Sequence, residues 1–284
     1  MAQKALVIGG TGFIGRHIVR ALIEAGFETT VTSRSTQPVL GNWVKADRAE
    51  IGSLKDLTSM PWDCVVDNIA YTGADVTQVI DALPRVAHWI LNSTISVYRY
   101  CRAFSYPLIE SGVDHSFKPK DENLADVHWK YARGKLDAEL ALIKSRKPFS
   151  VIRPTMVFGS GDITGRTQWY VDRIREGQTI LTTAQNRFQL VSPQDAGQAF
   201  ALVAKAKARG LFNLAQNEAF TLDEFVHSLA KAGGHTAHTA PLTAANKDQA
   251  GPYLFPNPWD LSTTALRKLG WLPTQWEHLA RSVW

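Results

Sequence analysis

Short apolar runs alternate with stretches whose apolar positions recur at helical spacing from the start of the chain. The run KALVI ends in Gly9 and Gly10 and predicts a buried strand. TGFIGRHIVRALIEAG then spaces its apolar residues as a helix does, with Gly26 as the stop. FETTVTSR predicts a second strand, NWVKAD a third and DCVVDNIA a fourth, with SLKDLTSM read as a helix before the fourth. ADVTQVIDAL predicts a helix and HWILNSTISVY a strand. This alternation implies βαβ units and a parallel sheet covered on both faces. Residues 99–128 carry prolines, serines and charges and read as a loop, after which YARGKLDAELALIKS is helical and FSVIRPTMVFG a strand. Beyond Gly159 the reading is looser. GSGDITG is a loop, WYVDRIREG a helix, FQLVSPQDAGQAFALVAKA a strand, turn and helix, and LFNLA a strand. TLDEFVHSLAKAGG opens with Thr221 and has Glu224 three residues later, the pattern of a capping box. Residues 236–259 show little periodicity, and the last 23 residues (STTALRKLGWLPTQWEHLARSVW) predict two short helices.

Composition narrows the class. With 284 residues, 45% hydrophobic and 20% charged, the chain is long enough for a large core and is not of a disordered type. No apolar run approaches the length of a membrane span, so a cytoplasmic protein with no membrane partner is expected. Cys64 and Cys101 are too few for a disulfide framework, and Cys64 falls inside a strand pattern that makes it a core residue. The formal net charge of +5 is spread thinly; its densest cluster, Lys205 to Gly210, reads as a solvated helix end, so a nucleic-acid partner is not expected. No group of His, Cys, Asp and Glu has ligand spacing, and no metal is expected.

The chemistry begins at the first strand–helix junction, GGTGFIG. Gly9 suits the tight turn out of the strand, Gly12 leaves room for a pyrophosphate, and Gly15 permits close contact of helix and strand. Thr11, Phe13 and Ile14 fill the rest of this cradle, whose helix offers its positive end to phosphate. At the end of the second strand, where a carboxylate would hold both ribose hydroxyls, stand Ser33 and Arg34. A guanidinium beside a hydroxyl holds a 2′-phosphate, so NADP is favoured over NAD. Asp47 is placed to meet the adenine amino group.

Tyr131 and Lys135 stand four apart in a helical segment and share one face. A neighbouring ammonium favours the phenolate and brings a phenol toward its working range, and a strand ending in Ser93 and Thr94 supplies a hydroxyl for the same substrate oxygen. Together GGTGFIG, NSTISVY, the Tyr131–Lys135 pair and VIRPTMVFG resemble the extended short-chain dehydrogenase/reductases, the NAD-dependent epimerase/dehydratase family. The resemblance is clear to about residue 160 and looser beyond. It implies a Rossmann-type doubly wound parallel sheet in residues 1–160, with segments around 188–215 returning to it, and a smaller C-terminal substrate-capping region in residues 161–284. It implies Thr94, Tyr131 and Lys135 as catalytic residues, with Lys135 also on the nicotinamide ribose. Ala70, Tyr71, Pro154 and Val157 lie near the cofactor, and hydride passes between nicotinamide C4 and a carbonyl or alcohol carbon. A homodimer is the family expectation.

Departures from the family pattern bear on the substrate. Ile95 and Ser96 replace the acidic pair that dehydratases place after the catalytic threonine. Phe188 stands where nucleotide-sugar epimerases place an arginine, with Arg187 one residue away and so on the opposite face unless a bulge intervenes, and Ser192 replaces the usual histidine. The long loop is rich in aromatics, including Tyr98, Tyr100, Phe104 and Tyr106, with Trp129 beyond it. These residues either line an apolar pocket or pack the loop. The expected substrate residues are Tyr71, Thr94, Ser96, Tyr98, Trp129 and Arg187. The reading is an NADP-dependent oxidoreductase acting on a small-molecule carbonyl or alcohol. The alternatives are a nucleotide-sugar epimerase with a retained cofactor and a non-catalytic nucleotide- or RNA-binding protein.

Overall fold

The computed structural model describes residues 2–34, 40–255 and 257–284, with every side chain among them except those of residues 51 and 247. In chain order the first half forms β1 (Lys4–Ile8), α1 (Gly15–Glu24), β2 (Glu28–Ser33), β3 (Asn42–Lys45), β4 (Cys64–Asp67), α2 (Gly73–Ala82), β5 (Trp89–Asn92), α3 (Val127–Lys144) and β6 (Phe149–Pro154). The second half adds β7 (Met156–Val157), α4 (Arg166–Arg175), β8 (Thr179–Thr182), β9 (Leu190–Val191), α5 (Pro193–Ala206), β10 (Gly210–Leu214), α6 (Leu222–Ala232), β11 (His238–Pro241), α7 (Thr264–Lys268) and α8 (Trp276–Arg281).

Seven parallel strands form one sheet in the order β10-β6-β5-β4-β1-β2-β3. Successive side chains of β1 go to opposite faces: Ala5 and Val7 pack under α1 and α5, while Leu6 and Ile8 pack under α2 and α3. Burial on both faces explains why KALVI, CVVD and WILN read as continuous apolar runs. The strand order reverses between β1 and β4, so the helices that follow these strands diverge and open a crevice at their carboxyl ends. A second core, aromatic in character, joins Tyr170, Phe188, Phe225, Tyr253 and Trp276. β7 pairs with β9 and β8 with β11 in two small sheets.

Local chemistry sets the element ends. Thr221 and Glu224 form both hydrogen bonds of the expected capping box, at 3.2 and 2.8 Å. Ser192, standing where the resemblance implies a histidine, caps α5 by accepting the N–H of Asp195 at 2.8 Å. The fifth strand is shorter than its pattern predicts. It stops at Asn92, because the Thr94 side chain accepts the N–H of Ser96 and Ile95–Tyr100 winds into a 3-10 turn. The segment before β4 is likewise a 3-10 turn, Ile51–Leu57, not an α-helix. β8 and β11 fall in stretches where no strand is expected from sequence. Cys64 is buried, and burial pushes its thiol up to about 12. Among the described residues no helix is long and apolar enough to cross a membrane.

At the opposite end of the sheet His88 is buried, its Nε2 lying 2.9 Å from Ser150 Oγ. Ser150 donates its own proton to the Ala208 carbonyl, so Nε2 carries the imidazole proton, and buried Nδ1 has no partner. Burial, then Arg209 and Lys207, holds this histidine down at about 4 against an ordinary 6.5. An unfolded chain therefore binds a proton between pH 6.5 and 4 that the folded chain refuses, and stability is lost as pH falls through that window. Up to about 3 kcal/mol is at stake. Urea unfolding at pH 7 and pH 5 should show a fall in midpoint for the wild type and a smaller one for His88→Phe; equal falls would contradict this assignment.

Candidate active site

The cradle after β1 is shaped by contacts that admit no side chain. Gly9 has φ of +80°, and a Cβ there would strike Ile69; at Gly15 it would strike the Gly9 carbonyl. Gly12 differs: only the Gly9 carbonyl oxygen comes near, at 3.8 Å, so this side of the turn is open. No side chain caps the N-terminus of α1. An open glycine turn under an uncapped helix end fits the pyrophosphate of a nicotinamide dinucleotide. On the adenosine side, Ser33 accepts the Trp43 indole N–H at 3.0 Å, and Arg34 follows, exposed and with no ion pair among the described residues. Asp47 Oδ1 accepts the N–H of Ala49 and fixes the turn after β3.

A polar chain crosses the carboxyl ends of β1, β4 and β5. Asn68 donates to the Gly9 carbonyl at 3.1 Å, Asn92 donates to Asn68 Oδ1 at 2.8 Å, and Lys135 Nζ donates to the Asn92 carbonyl at 2.7 Å. The cradle and the lysine are therefore held in one hydrogen-bonded frame. Lys135 is buried, and that burial draws it down to about 8, with Asp67 opposing. Its ammonium lies 5.1 Å from the Tyr71 ring centre and 6.0 Å from that of Tyr131; the two tyrosine rings are 6.0 Å apart. Gly134 lets α3 come this close, since a Cβ there would strike the Tyr71 carbonyl. Tyr131 is held above its ordinary value by burial, while the Thr94 hydroxyl and the charge of Arg166 pull it down. Tyr71 is exposed and Ala70 fully buried.

Below this surface lies a charge pair. Arg153 Nε and Nη2 bind Glu139 Oε1 and Oε2 at 2.9 and 2.7 Å, both side chains wholly buried. Ser93 donates to Glu139 Oε1 at 2.5 Å, His115 Nε2 lies 2.9 Å from Oε2, and Arg153 Nη1 reaches the Glu110 carbonyl at 2.8 Å. Burial alone would raise Glu139; the Arg153 charge and the hydrogen bonds from His115, Arg153 and Ser93 overcome it and hold the carboxyl at about 2. Consecutive residues of one segment thus serve three anchors: Asn92 meets Lys135, Ser93 meets Glu139, and Thr94 faces Tyr131.

The model of the NAD dependent epimerase/dehydratase family matches residues 5–215, which hold the cradle, the Thr94–Tyr131–Lys135 group and the buried pair. The chain belongs to this family. With it come the Rossmann-type sheet and an NAD(P)-dependent enzyme class. A chloroplast stem-loop binding protein of 41 kDa from Arabidopsis thaliana is 24% identical over 298 residues, covering 95% of this chain and 75% of that protein. The UDP-glucose 4-epimerase of Thermotoga maritima, solved with UDP-glucose, superposes with a TM-score of 0.74 at 19% identity, covering 99% of this chain and 97% of that one. The Thermus thermophilus UDP-glucose 4-epimerase, solved with NAD, gives 0.73 at 19% identity, covering 99% and 97%. At such identity the likeness shows the fold.

Within this family frame two expected substrate residues are placed elsewhere. Tyr98 is fully buried under Arg153 and donates to Asn213 Oδ1 at 2.6 Å, so it belongs to the packing of the long loop. Arg187 pairs with Glu224 at 3.2 Å on the surface while its neighbour Phe188 enters the aromatic core, and the one-residue offset is kept. Ser96 lies beside Thr94, with hydroxyls 3.4 Å apart. Trp129 is half-buried, edge-on to Tyr100 and under Arg99. Pro154 and Val157 are buried where the chain leaves β6. Sequence reasoning missed Asn68, Asn92 and Glu139. Glu139 carried a legible signal, one turn after Lys135 on the buried stripe of α3.

Replacing one member of a buried charge pair strands the other. Glu139→Gln should cost about 3–5 kcal/mol, read as a lowered urea midpoint. Loss of under about 1 kcal/mol would mean that Arg153 finds another partner.

Proposed function

We propose that the protein is an NADP-dependent oxidoreductase that interconverts a carbonyl and an alcohol, with Tyr131 as general acid/base. The observation that carries this reading is the meeting of Tyr131, Thr94 and buried Lys135 at the carboxyl ends of the strands whose first turn leaves Gly12 open. A bound nicotinamide dinucleotide supplies hydride exchange at its ring. The chain supplies the rest. Gly9, Thr11, Gly12, Phe13, Ile14 and Gly15 receive the pyrophosphate. Ser33, Arg34 and Asp47 receive the adenosine half, and Lys135, with Ala70, Tyr71, Pro154 and Val157 nearby, the nicotinamide half.

Tyr131, held above its ordinary value, is a neutral phenol near neutral pH. In that state it gives a proton to a carbonyl oxygen as hydride arrives, and it takes the proton back in the reverse reaction. The Thr94 hydroxyl holds the same oxygen, and the ammonium of Lys135 orients the ribose. Arg34, exposed and with no carboxylate at the end of β2, favours the phosphorylated dinucleotide. Residues 161–284, apart from the segments around 188–215 that return to the large sheet, supply most of the cap over the substrate.

A retained-cofactor nucleotide-sugar epimerase is the second reading, suggested by the sugar-nucleotide enzymes that share the fold. The surface position of Arg187 weighs against it, since no arginine then meets the substrate diphosphate from that strand. RNA binding, which the name of the Arabidopsis relative suggests, gives no reason for a buried lysine beside a tyrosine–threonine pair.

Tyr131→Phe should lower turnover at least about a hundredfold while leaving NADPH affinity within about twofold. Arg34→Ala should weaken NADPH more than NADH, both read by titration of the apo-protein. Undiminished turnover in Tyr131→Phe would remove the proposed acid. NAD that copurifies and does not exchange would give the epimerase reading precedence.

A further inference from the structure

Helix α1 carries its charges in the unfavourable order. Arg16 stands in its first turn, Arg20 one turn on and Glu24 at its end, with no acidic residue in the first turn and no basic one in the last. The positive end of a helix favours anions, and like charges four apart repel each other. Among the described residues neither guanidinium has a carboxylate partner. Arg16 lies 5.7 Å from the Phe13 ring centre and 3.4 Å from the His17 ring nitrogen. His17 is held below its ordinary value by burial and then by these two cations. A helix that would be more stable with different residues at these places points to a ligand that relieves the conflict.

A cavity of about 190 Å³ opens where such a ligand would sit, lined by Gly10 and Thr11 of the cradle, Arg16 and Arg20 of α1, Val31 of β2 and Ser160. Strand alternation puts Val31 and Ser33 on the same face of β2. Ser33 is where an NAD-type carboxylate would meet the ribose, and Val31, two residues before it on that face, lines the cavity. Gly10 also lines it, and a Cβ there would strike Val31 and Val19 beside the cavity. The open side of Gly12 serves the pyrophosphate, whereas this cavity is reached past Gly10 and Thr11, on the β2 side of the turn.

We propose that this cavity receives the phosphomonoester on the 2′ position of the adenosine ribose, gripped by Arg16 and Arg20. The inference rests on the dinucleotide reading above and makes these two residues, with Arg34, the determinants of cofactor choice. Two guanidiniums suit a dianionic phosphate in a way that a hydroxyl pair cannot use.

The test is calorimetric titration of the apo-protein with NADPH, NADH, adenosine 2′,5′-bisphosphate and 5′-AMP, for the wild type and for Arg16→Gln, Arg20→Gln and Arg34→Gln. Arg16→Gln and Arg20→Gln should each weaken NADPH and the bisphosphate about tenfold or more. NADH and 5′-AMP should stay within about twofold. Ligand-free Arg20→Gln should melt no lower than wild type, because a repulsion has been removed; a lower melting temperature would contradict the proposal. Equal weakening of all four ligands would overturn it, assigning the arginines to the pyrophosphate or the fold. An NADPH preference that survives both variants and disappears only in Arg34→Gln would overturn it while leaving the dinucleotide reading intact. A wild type that binds neither dinucleotide would remove that reading and this one together.

Discussion

A carboxylate and a guanidinium that water does not reach, Glu139 and Arg153, tie together the parts on which the site depends. Glu139 belongs to α3, Arg153 to β6, Ser93 to the end of β5, and His115 and Glu110 to the long loop. A buried pair of this kind adds little net stability, because the desolvation of both charges offsets their attraction. What it imposes is geometry. Any shift of α3 along its axis would break bonds to Ser93 and Arg153 together, and Tyr131 and Lys135 ride on that helix. The same network fills the space that Tyr98 and Asn213 share beneath Arg153, so the start of the long loop is packed from below.

Above the pair sits a cation. Lys135 is buried with its ammonium on the Asn92 carbonyl, and through Asn68 that carbonyl's residue is linked to Gly9 in the phosphate cradle. The link gives a physical route by which occupation of the cradle and the placing of the lysine are parts of one frame. At the other edge of the cradle, α1 presents Arg16 in its first turn and Arg20 one turn on, an arrangement that fits a protein built to hold phosphate there. The hydrogen-bonded frame follows from the sheet order, since the carboxyl ends of β1, β4 and β5 lie side by side at the reversal.

Much of this was legible in the residues themselves. Runs such as KALVI and CVVD are buried on both faces and so announce parallel strands without alternation. GGTGFIG is a local motif whose three glycines act on one turn, and Tyr131 and Lys135 are related by helix geometry alone. What stayed hidden depends on contacts far apart in sequence. Asn68 and Asn92 look like ordinary ends of strands until the register of β4 and β5 brings them together. The fate of Tyr98 could not be read from its loop, because the partner that buries its hydroxyl, Asn213, lies 115 residues away. For Arg187 the outcome turns on its neighbour: Phe188 enters the aromatic core, and Arg187 lies on the surface beside Glu224.

The most direct test of the account is a crystal structure of the protein with NADPH bound. The account predicts pyrophosphate over Gly12 at the start of α1, the nicotinamide ribose against Lys135, and the ring beside Tyr131 and Thr94. A dinucleotide seated elsewhere, or one whose nicotinamide points away from Tyr131, would contradict the claim that these residues form a hydride-transfer site.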